Sequence, residues 1–231
     1  IELCSGLVIG GLSPSKALFE TVREHVDIRI HTLLRPRFGD FCYTDYEHEM
    51  LKKEVKMFRE LGADGVVIGA LRPDGSLHTE QMKELIEEAQ DMSITLHRAF
   101  DMCKNPFETL EQAKQLGIHT ILTSGQKNNC VEGTELLAKL VAKPLSLPCE
   151  ATLRKRWFVG KQSAQKDYAA RQGNAKDAVL PKGSVDLTGK SVVLVDDIIT
   201  TGATAAAAVK ALREMGASRV YVLAATFTPR K

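Results

Sequence analysis

The apolar residues of this chain fall into short unbroken clusters separated by longer amphipathic stretches, and the alternation repeats. Ile28–Leu34, Gly65–Leu71, Ile94–Ala99, Thr120–Ser124, Val192–Val195 and Val220–Ala225 read as strands, with a stub at Ile1–Cys4. Continuous aliphatic runs suit parallel strands buried on both faces. Helical periodicity covers Ser15–His25, Asp45–Leu61, Thr79–Gln90, Pro106–Leu116, Glu132–Val141 and Ala205–Met215. Three junctions share one signature: Glu60-Leu61-Gly62-Ala63, Gln115-Leu116-Gly117-Ile118 and Glu214-Met215-Gly216-Ala217 each run from a helix end through a Gly into an apolar strand. Ser13 before Pro14 and Asn105 before Pro106 are helix N-cap signals. Strands alternating with helices predict α/β architecture, with mostly parallel βα units and right-handed crossovers.

The pattern changes near residue 141. From Lys143 to Lys190 the periodicity fails, broken by Pro144, Pro148 and Pro181. Arg154, Lys155, Arg156, Lys161, Lys166, Arg171 and Lys176 make this segment basic. It reads as a solvated face or as a mobile arm that closes on a polyphosphate; one aromatic pair, Trp157–Phe158, is a weak basis for nucleic-acid binding. The expected organisation is therefore 1–141, a linker or arm over 142–190, and a βαβ unit over 191–231.

Residues 192–204, Val-Val-Leu-Val-Asp-Asp-Ile-Ile-Thr-Thr-Gly-Ala-Thr, carry the most specific chemistry. A strand, a tight loop and a helix N-terminus converge backbone N–H groups on one point and make an anion site. Asp196 and Asp197, expected at the strand's end, repel a phosphate but suit sugar hydroxyls or a phosphate-borne cation. Phosphate, ribose and Mg²⁺ together point to a phosphoribosyl ligand. An ordinary doubly wound βα unit is the bland alternative. A receiver domain also carries an acidic pair after a strand, but it needs a further Asp downstream, and none follows Asp197.

The whole chain sets outer bounds. Its 231 residues suffice for one large α/β domain or two small ones. Hydrophobic content of 44%, charge of 26% and a net charge of +2 fit a globular protein with no global field for nucleic acid or membrane. No apolar run is long enough to span a bilayer. Ile1–Glu2–Leu3 reads as strand interior, so the start reads as a cut, and no signal peptide is recognised. Five cysteines without a Cys-x-x-Cys pair argue against a disulfide framework or a structural zinc site, and the expected compartment is the reducing cytoplasm.

Two family resemblances follow from these motifs. Val192–Thr204 resembles the PRPP motif of type I phosphoribosyltransferases. The resemblance implies that Thr200, Thr201, Gly202, Ala203 and Thr204 cradle the 5′-phosphate while Asp196 and Asp197 hold the ribose, with Mg²⁺ arriving with PRPP. From about Leu153 the chain is similar to the carboxyl-terminal half of ComF-type enzymes, including Arg171-x-x-Asn174. That family's pyrophosphate loop and zinc ribbon have no counterpart here, which implies binding before turnover. In residues 1–140, Glu2-Leu3-Cys4, Gly10-Gly11-Leu12-Ser13-Pro14-Ser15, Arg35-Pro36-Arg37-Phe38-Gly39-Asp40-Phe41, His97-Arg98-Ala99-Phe100-Asp101 and Leu122-Thr123-Ser124-Gly125 stand in an order that resembles the CutC family. Phe38 replaces that family's usual second Gly. The implied fold is part of a (β/α)8 TIM-type barrel, completed or extended by the Rossmann-like phosphoribosyltransferase units. A strand over Leu145–Leu153 and the two carboxyl-terminal strands would share its sheet.

The expected polar cluster is Glu2, Arg35, Arg37, Asp40, His97, Arg98, Asp101 and Ser124, all at strand C-terminal ends, which form the ligand face of a parallel α/β fold. Cys4, Cys42 and Cys103 fall on the same face, and soft thiolates suit Cu(I). Three readings stay open: a PRPP site joined to a CutC-like barrel fragment, with phosphoribosyltransferase activity if active; copper handling through Cu(I); and a structural chimera without activity. The implied partner is a small phosphorylated sugar rather than a membrane or nucleic acid, with self-association left open.

Overall fold

The computed structural model describes residues 1–155, 179–183, 185–199 and 202–227. The chain divides into two compact units, Ile1–Asn129 and Cys130–Lys231.

The first unit is built of βα units on one parallel sheet. Its strands are β1 (Glu2–Leu3), β2 (His31–Leu33), β3 (Gly65–Ile68), β4 (Ser93–Leu96) and β5 (Thr120–Ile121), hydrogen-bonded in sequence order. The helices are α1 (Lys16–His25), α2 (Asp45–Glu60), α3 (Thr79–Ala89), the single turn α4 (Ala99–Met102) and α5 (Pro106–Gln115). Each strand is shorter than its apolar run suggests, because the pairing stops where the chain turns into polar loops such as 35–43 and 122–127.

Local chemistry fixes the helix ends. Ser15 caps α1 by accepting from the Leu18 N–H, which corrects the expectation of Ser13. The Ser13 hydroxyl is otherwise engaged: it donates to Glu54 Oε2 at 2.7 Å and accepts the Arg35 N–H at 2.9 Å. Thr44 and Glu47 form a capping box on α2. Asn105 caps α5 ahead of Pro106, as expected. Past α2 and α5, Gly62 and Gly117 take the left-handed conformation that ends a helix without a Cβ penalty.

The register sorts the two faces of the sheet. Glu2, His31, Gly65 and Ser93 are level; so are Leu33, Val67 and Thr95. These share one face, and Arg35, Gly69 and His97 continue it two residues further on. The opposite face carries Ile30, Leu34, Ile68, Ile94 and Leu96, all within 2% of complete burial. Phe19 and Phe58, with ring centroids 5.4 Å apart, complete the apolar core with Leu51, Val55, Met82 and Leu85.

In the second unit, α6 (Cys130–Ala142) precedes an antiparallel hairpin of β6 (Leu153–Lys155) and β7 (Val179–Pro181). A short 3-10 turn at Lys143–Leu145, carrying Pro144, stands where a strand from Leu145 was expected. β8 (Ser191–Ile199) and β9 (Arg219–Phe227) run parallel, joined by α7 (Ala203–Glu214). Leu187, Leu212 and Ala217 form the core, with Leu153, Val185, Val192, Leu194, Met215 and Val220 packed on it. The expectation that these strands extend the first sheet is corrected: among the described residues β8 and β9 pair with each other alone. A long mutual ladder, from Ser191 with Arg219 to Ile199 with Phe227, makes each the other's partner.

Candidate functional site

The loop after β2 places two arginines and two phenylalanines at the end of an inner strand of the first sheet. Arg35 turns its guanidinium inward, 7% exposed, donating to the carbonyls of Gly39 at 2.6 Å and Gly11 at 3.5 Å. Its Cζ lies 4.8 Å from the centre of the Phe41 ring. The imidazole of His97, just past β4, lies 4.7 Å from that same ring centre. Two residues of the expected cluster, from loops sixty positions apart, therefore meet on Phe41.

His97 sits where a Cβ on Gly69 would be 2.6 Å from its Nδ1 and Cε1. The absence of a side chain at Gly69 makes its berth. Gly65, two pleat repeats earlier on the same face, leaves the same space for His31. The Ala99 N–H donates to His97 Nδ1 at 3.1 Å, so the ring proton resides on Nε2. Burial, reinforced by the Arg35 charge, lowers the His97 pKa to about 3.

That shift makes a stability prediction. The unfolded chain takes up a proton below the ordinary imidazole value of 6.5, and the folded chain does not until about 3. The unfolded state thus binds more protons in this window, so stability is full above pH 6.5 and falls as pH drops toward 3. From pH 7 to pH 5 the loss from this one residue is about 2 kcal/mol. Urea unfolding of wild type and His97→Gln at the two pH values measures it, and an equal pH dependence in both proteins refutes it.

A second network lies on α4. Asp101, its side chain 6% exposed, accepts from Thr123 Oγ1 at 2.6 Å, from the backbone of Ser124 and Gln126, from Ser124 Oγ at 3.1 Å and from Arg98 Nε at 2.7 Å. Burial works to raise this carboxyl, but the donors together hold it below the usual range. Arg98 also donates to Ser124 Oγ at 2.6 Å. Arg98, Asp101 and Ser124 are thus one assembly.

The remaining expected residues separate from these. Arg37 pairs with Asp40 at 2.9 Å and with Glu47 of α2, and the pairing lowers both carboxyls. These groups knit the loop to the α2 N-terminus. Glu2 corrects the expectation of a shared strand end. It is level with the first residues of β2, β3 and β4, about 13 Å along the strands from His97. Burial raises its carboxyl.

The cysteines do not assemble. Cys4 lies near Gly11, Cys42 follows Asp40 on the Arg37 loop, and Cys103 is buried after α4 with its sulfur 3.6 Å from Gln126 Nε2. Burial raises the thiols of Cys42 and Cys103, which disfavours the thiolate a soft metal needs. Among the described residues, no three His, Cys, Asp or Glu side chains form a group able to hold a metal ion.

In the second unit, Gly202 at φ +76° is the N-cap of α7. Asp196 and Asp197 lie inside the ladder of β8, which runs on to Ile199, rather than at its end. Thr200 and Thr201 lie outside the described residues, as do Arg171, Asn174 and most of the basic segment. Among the described residues no helix is long and apolar enough to cross a membrane.

The fold defines an α/β protein of mostly parallel βα units, with buried polar side chains just past the strand ends of its first sheet. Residues 1–146 match the CutC family model, and residues 132–230 match that of the phosphoribosyl transferase domain. A CutC family protein of Citrobacter koseri is 45% identical over 143 residues, 62% of this chain and 58% of that one. One from Salmonella newport is 42% identical over the same shares. A solved structure from Streptococcus agalactiae, described as a candidate copper homeostasis protein CutC, aligns over 96% of this chain and 86% of its own with a TM-score of 0.58 at 20% identity, a likeness of fold. The chain belongs to the CutC family, and it spans 58% of the length of the curated relatives it matches.

Arg35, His97 and the Arg98–Asp101–Ser124 group are legible in the sequence as polar residues beside strands; Gly69 and Phe41 carry no such mark. Two glycines four apart in a strand put two gaps on one face, a signal of close approach there.

Proposed function

We propose that the second unit binds the 5′-phosphoribosyl group of PRPP, carried with Mg²⁺, at residues 192–204. The observation that carries this reading is the phosphoribosyl transferase match over 132–230, which takes in the parallel strands β8 and β9 and a helix opened by Gly202. Such a helix start turns backbone N–H groups and the positive end of the dipole toward a phosphate. Thr200, Thr201, Gly202, Ala203 and Thr204 would hold the phosphate, and Asp196 and Asp197 the ribose hydroxyls. Binding rather than turnover is the proposed activity; the first unit belongs to the CutC family.

Copper handling through Cu(I) is the second reading, favoured by that membership. It stands behind the first because the described residues present no ready ligand group.

Calorimetry on the whole chain separates these readings from a chain that has lost both activities. PRPP with Mg²⁺ is expected to give saturable heat, and Asp196→Asn with Asp197→Asn is expected to weaken binding about a hundredfold, the worth of two charge-assisted hydrogen bonds. Equal affinity in the two proteins refutes the ribose role. Saturable heat with Cu(I) and none with PRPP would reverse the order of the readings.

A further inference from the structure

Arg35 and His97 are both more than nine-tenths buried, and each ends in an N–H without an acceptor: Arg35 Nε and His97 Nε2. Neither atom can be satisfied by a change of tautomer. His97 Nδ1 is already an acceptor for the Ala99 N–H, so Nε2 can only donate, and a guanidinium has no acceptor at all.

The Arg35 charge is also unanswered. Its other contacts are two backbone carbonyls and the rings of Phe38 and Phe41, and no carboxylate among the described residues lies within ion-pair distance. Arg37, two residues away, has Asp40 and Glu47; Arg98 has Asp101. A buried cation without a counter-charge is costly, and protein structures normally pair it. An ordered water could accept one of the orphaned protons, but it would leave the charge uncompensated. An anion with two or more oxygens answers both deficits at once.

We propose that Arg35 and His97 form a binding site for the oxyanion head of a small metabolite, a carboxylate or a phosphate, seated against Phe41. Arg35 Nε–H supplies a charge-assisted hydrogen bond and His97 Nε2–H a neutral one. Gly69 leaves the room that holds the imidazole, and a Cβ on Gly10 would stand 3.4 Å from Arg35 Nη1, so a glycine lies beside each of the two side chains. Burial keeps the ring neutral, and hence a single-proton donor, throughout the physiological range. The site lies wholly in the first unit and stands independently of the phosphoribosyl reading.

The test is a titration of the full chain, ¹⁵N-labelled at Arg and His, with inorganic phosphate and separately with acetate, followed by NMR at Arg35 Nε–H and His97 Nε2–H. Both signals are expected to move together along one saturating curve with at least one of the two anions, and sodium chloride at matched ionic strength is expected to leave them in place. Response to phosphate alone assigns a phosphate head, response to acetate alone a carboxylate, and response to both a general oxyanion site. Arg35→Met is expected to weaken the response at His97 about tenfold or more. If that variant does not fold, the wild-type titration decides. No saturable movement of the two side-chain signals with either anion up to about 10 mM, or movement confined to backbone amides at 200–204, overturns the proposal.

Discussion

Asp101→Ala is expected to destabilise the first unit by about 3–5 kcal/mol, close to the largest loss a single substitution produces there. The carboxylate is buried and holds five donors: Thr123 Oγ1, the backbone N–H and hydroxyl of Ser124, the Gln126 N–H and Arg98 Nε. Alanine leaves the two backbone N–H groups without partners in a part-buried loop, and each such orphan carries its full desolvation cost. The loop is also conformationally dependent on this anchor. Gln126 adopts φ +57°, a left-handed conformation that a side-chain-bearing residue holds only when its surroundings over-determine it. Asp101→Asn keeps the size and one acceptor oxygen but replaces the other by a donor that faces Arg98, so it is expected to recover only part of the loss. Urea unfolding reads the stability. Hydrogen exchange at Ser124 and Gln126 reads the mechanism: their protection should fall further than that of Val67 in β3. Uniform loss of protection across both places would mean that Asp101 contributes only generally to the fold and does not latch this loop.

The legible part of this chain was the part written in local chemistry. Gly62, Gly117 and Gly216 end their helices as the sequence pattern implies, because a left-handed C′ residue needs no tertiary partner to be favoured. Asn105 with Pro106 caps α5 for the same reason. Ser13 was misread because its hydroxyl is taken by Glu54 and by the Arg35 N–H, partners far away in sequence. The same kind of distance hid the rest. Glu2 looked equivalent to the other polar strand-end residues, and only the register with His31 and Gly65 shows it at the other end of the ladder. Asp196 and Asp197 looked like a strand terminus, but β8 continues past them by pairing with β9. Arg35 and His97 were both visible as polar residues beside strands. That they share one aromatic ring, and that each keeps one unsatisfied proton, depends on how two separate loops fold over β3.

Gly69→Ala is expected to cost about 3 kcal/mol, and the cost is expected to vanish largely when His97 is also truncated. A Cβ at this position would stand 2.6 Å from two atoms of the imidazole and 3.0 Å from the Ala99 Cβ, closer than carbon atoms tolerate. The ring cannot simply swing aside. Its Nδ1 is tied to the Ala99 N–H, and the ring packs at a tilt against Phe41, centroids 4.7 Å apart. Relief requires breaking the hydrogen bond, shifting strand β3 or expelling the ring, so the overpacking penalty of about 1–3 kcal/mol is joined by that of an unpaired buried N–H. In the His97→Ala background the new methyl group enters space the ring has left. The coupling between the two substitutions should then reach about 1.5 kcal/mol or more in favour of the double variant. Gly62→Ala supplies the contrast. Nothing lies within 4 Å of its Cβ position, and its φ of +81° predicts a backbone cost of about 1 kcal/mol with no coupling to His97. Urea unfolding of the four proteins in each cycle gives both coupling energies. If Gly69→Ala costs the same with and without the His97 ring, the strand glycine is not the berth of that imidazole, and the geometry that aims its free N–H beside Arg35 loses its support.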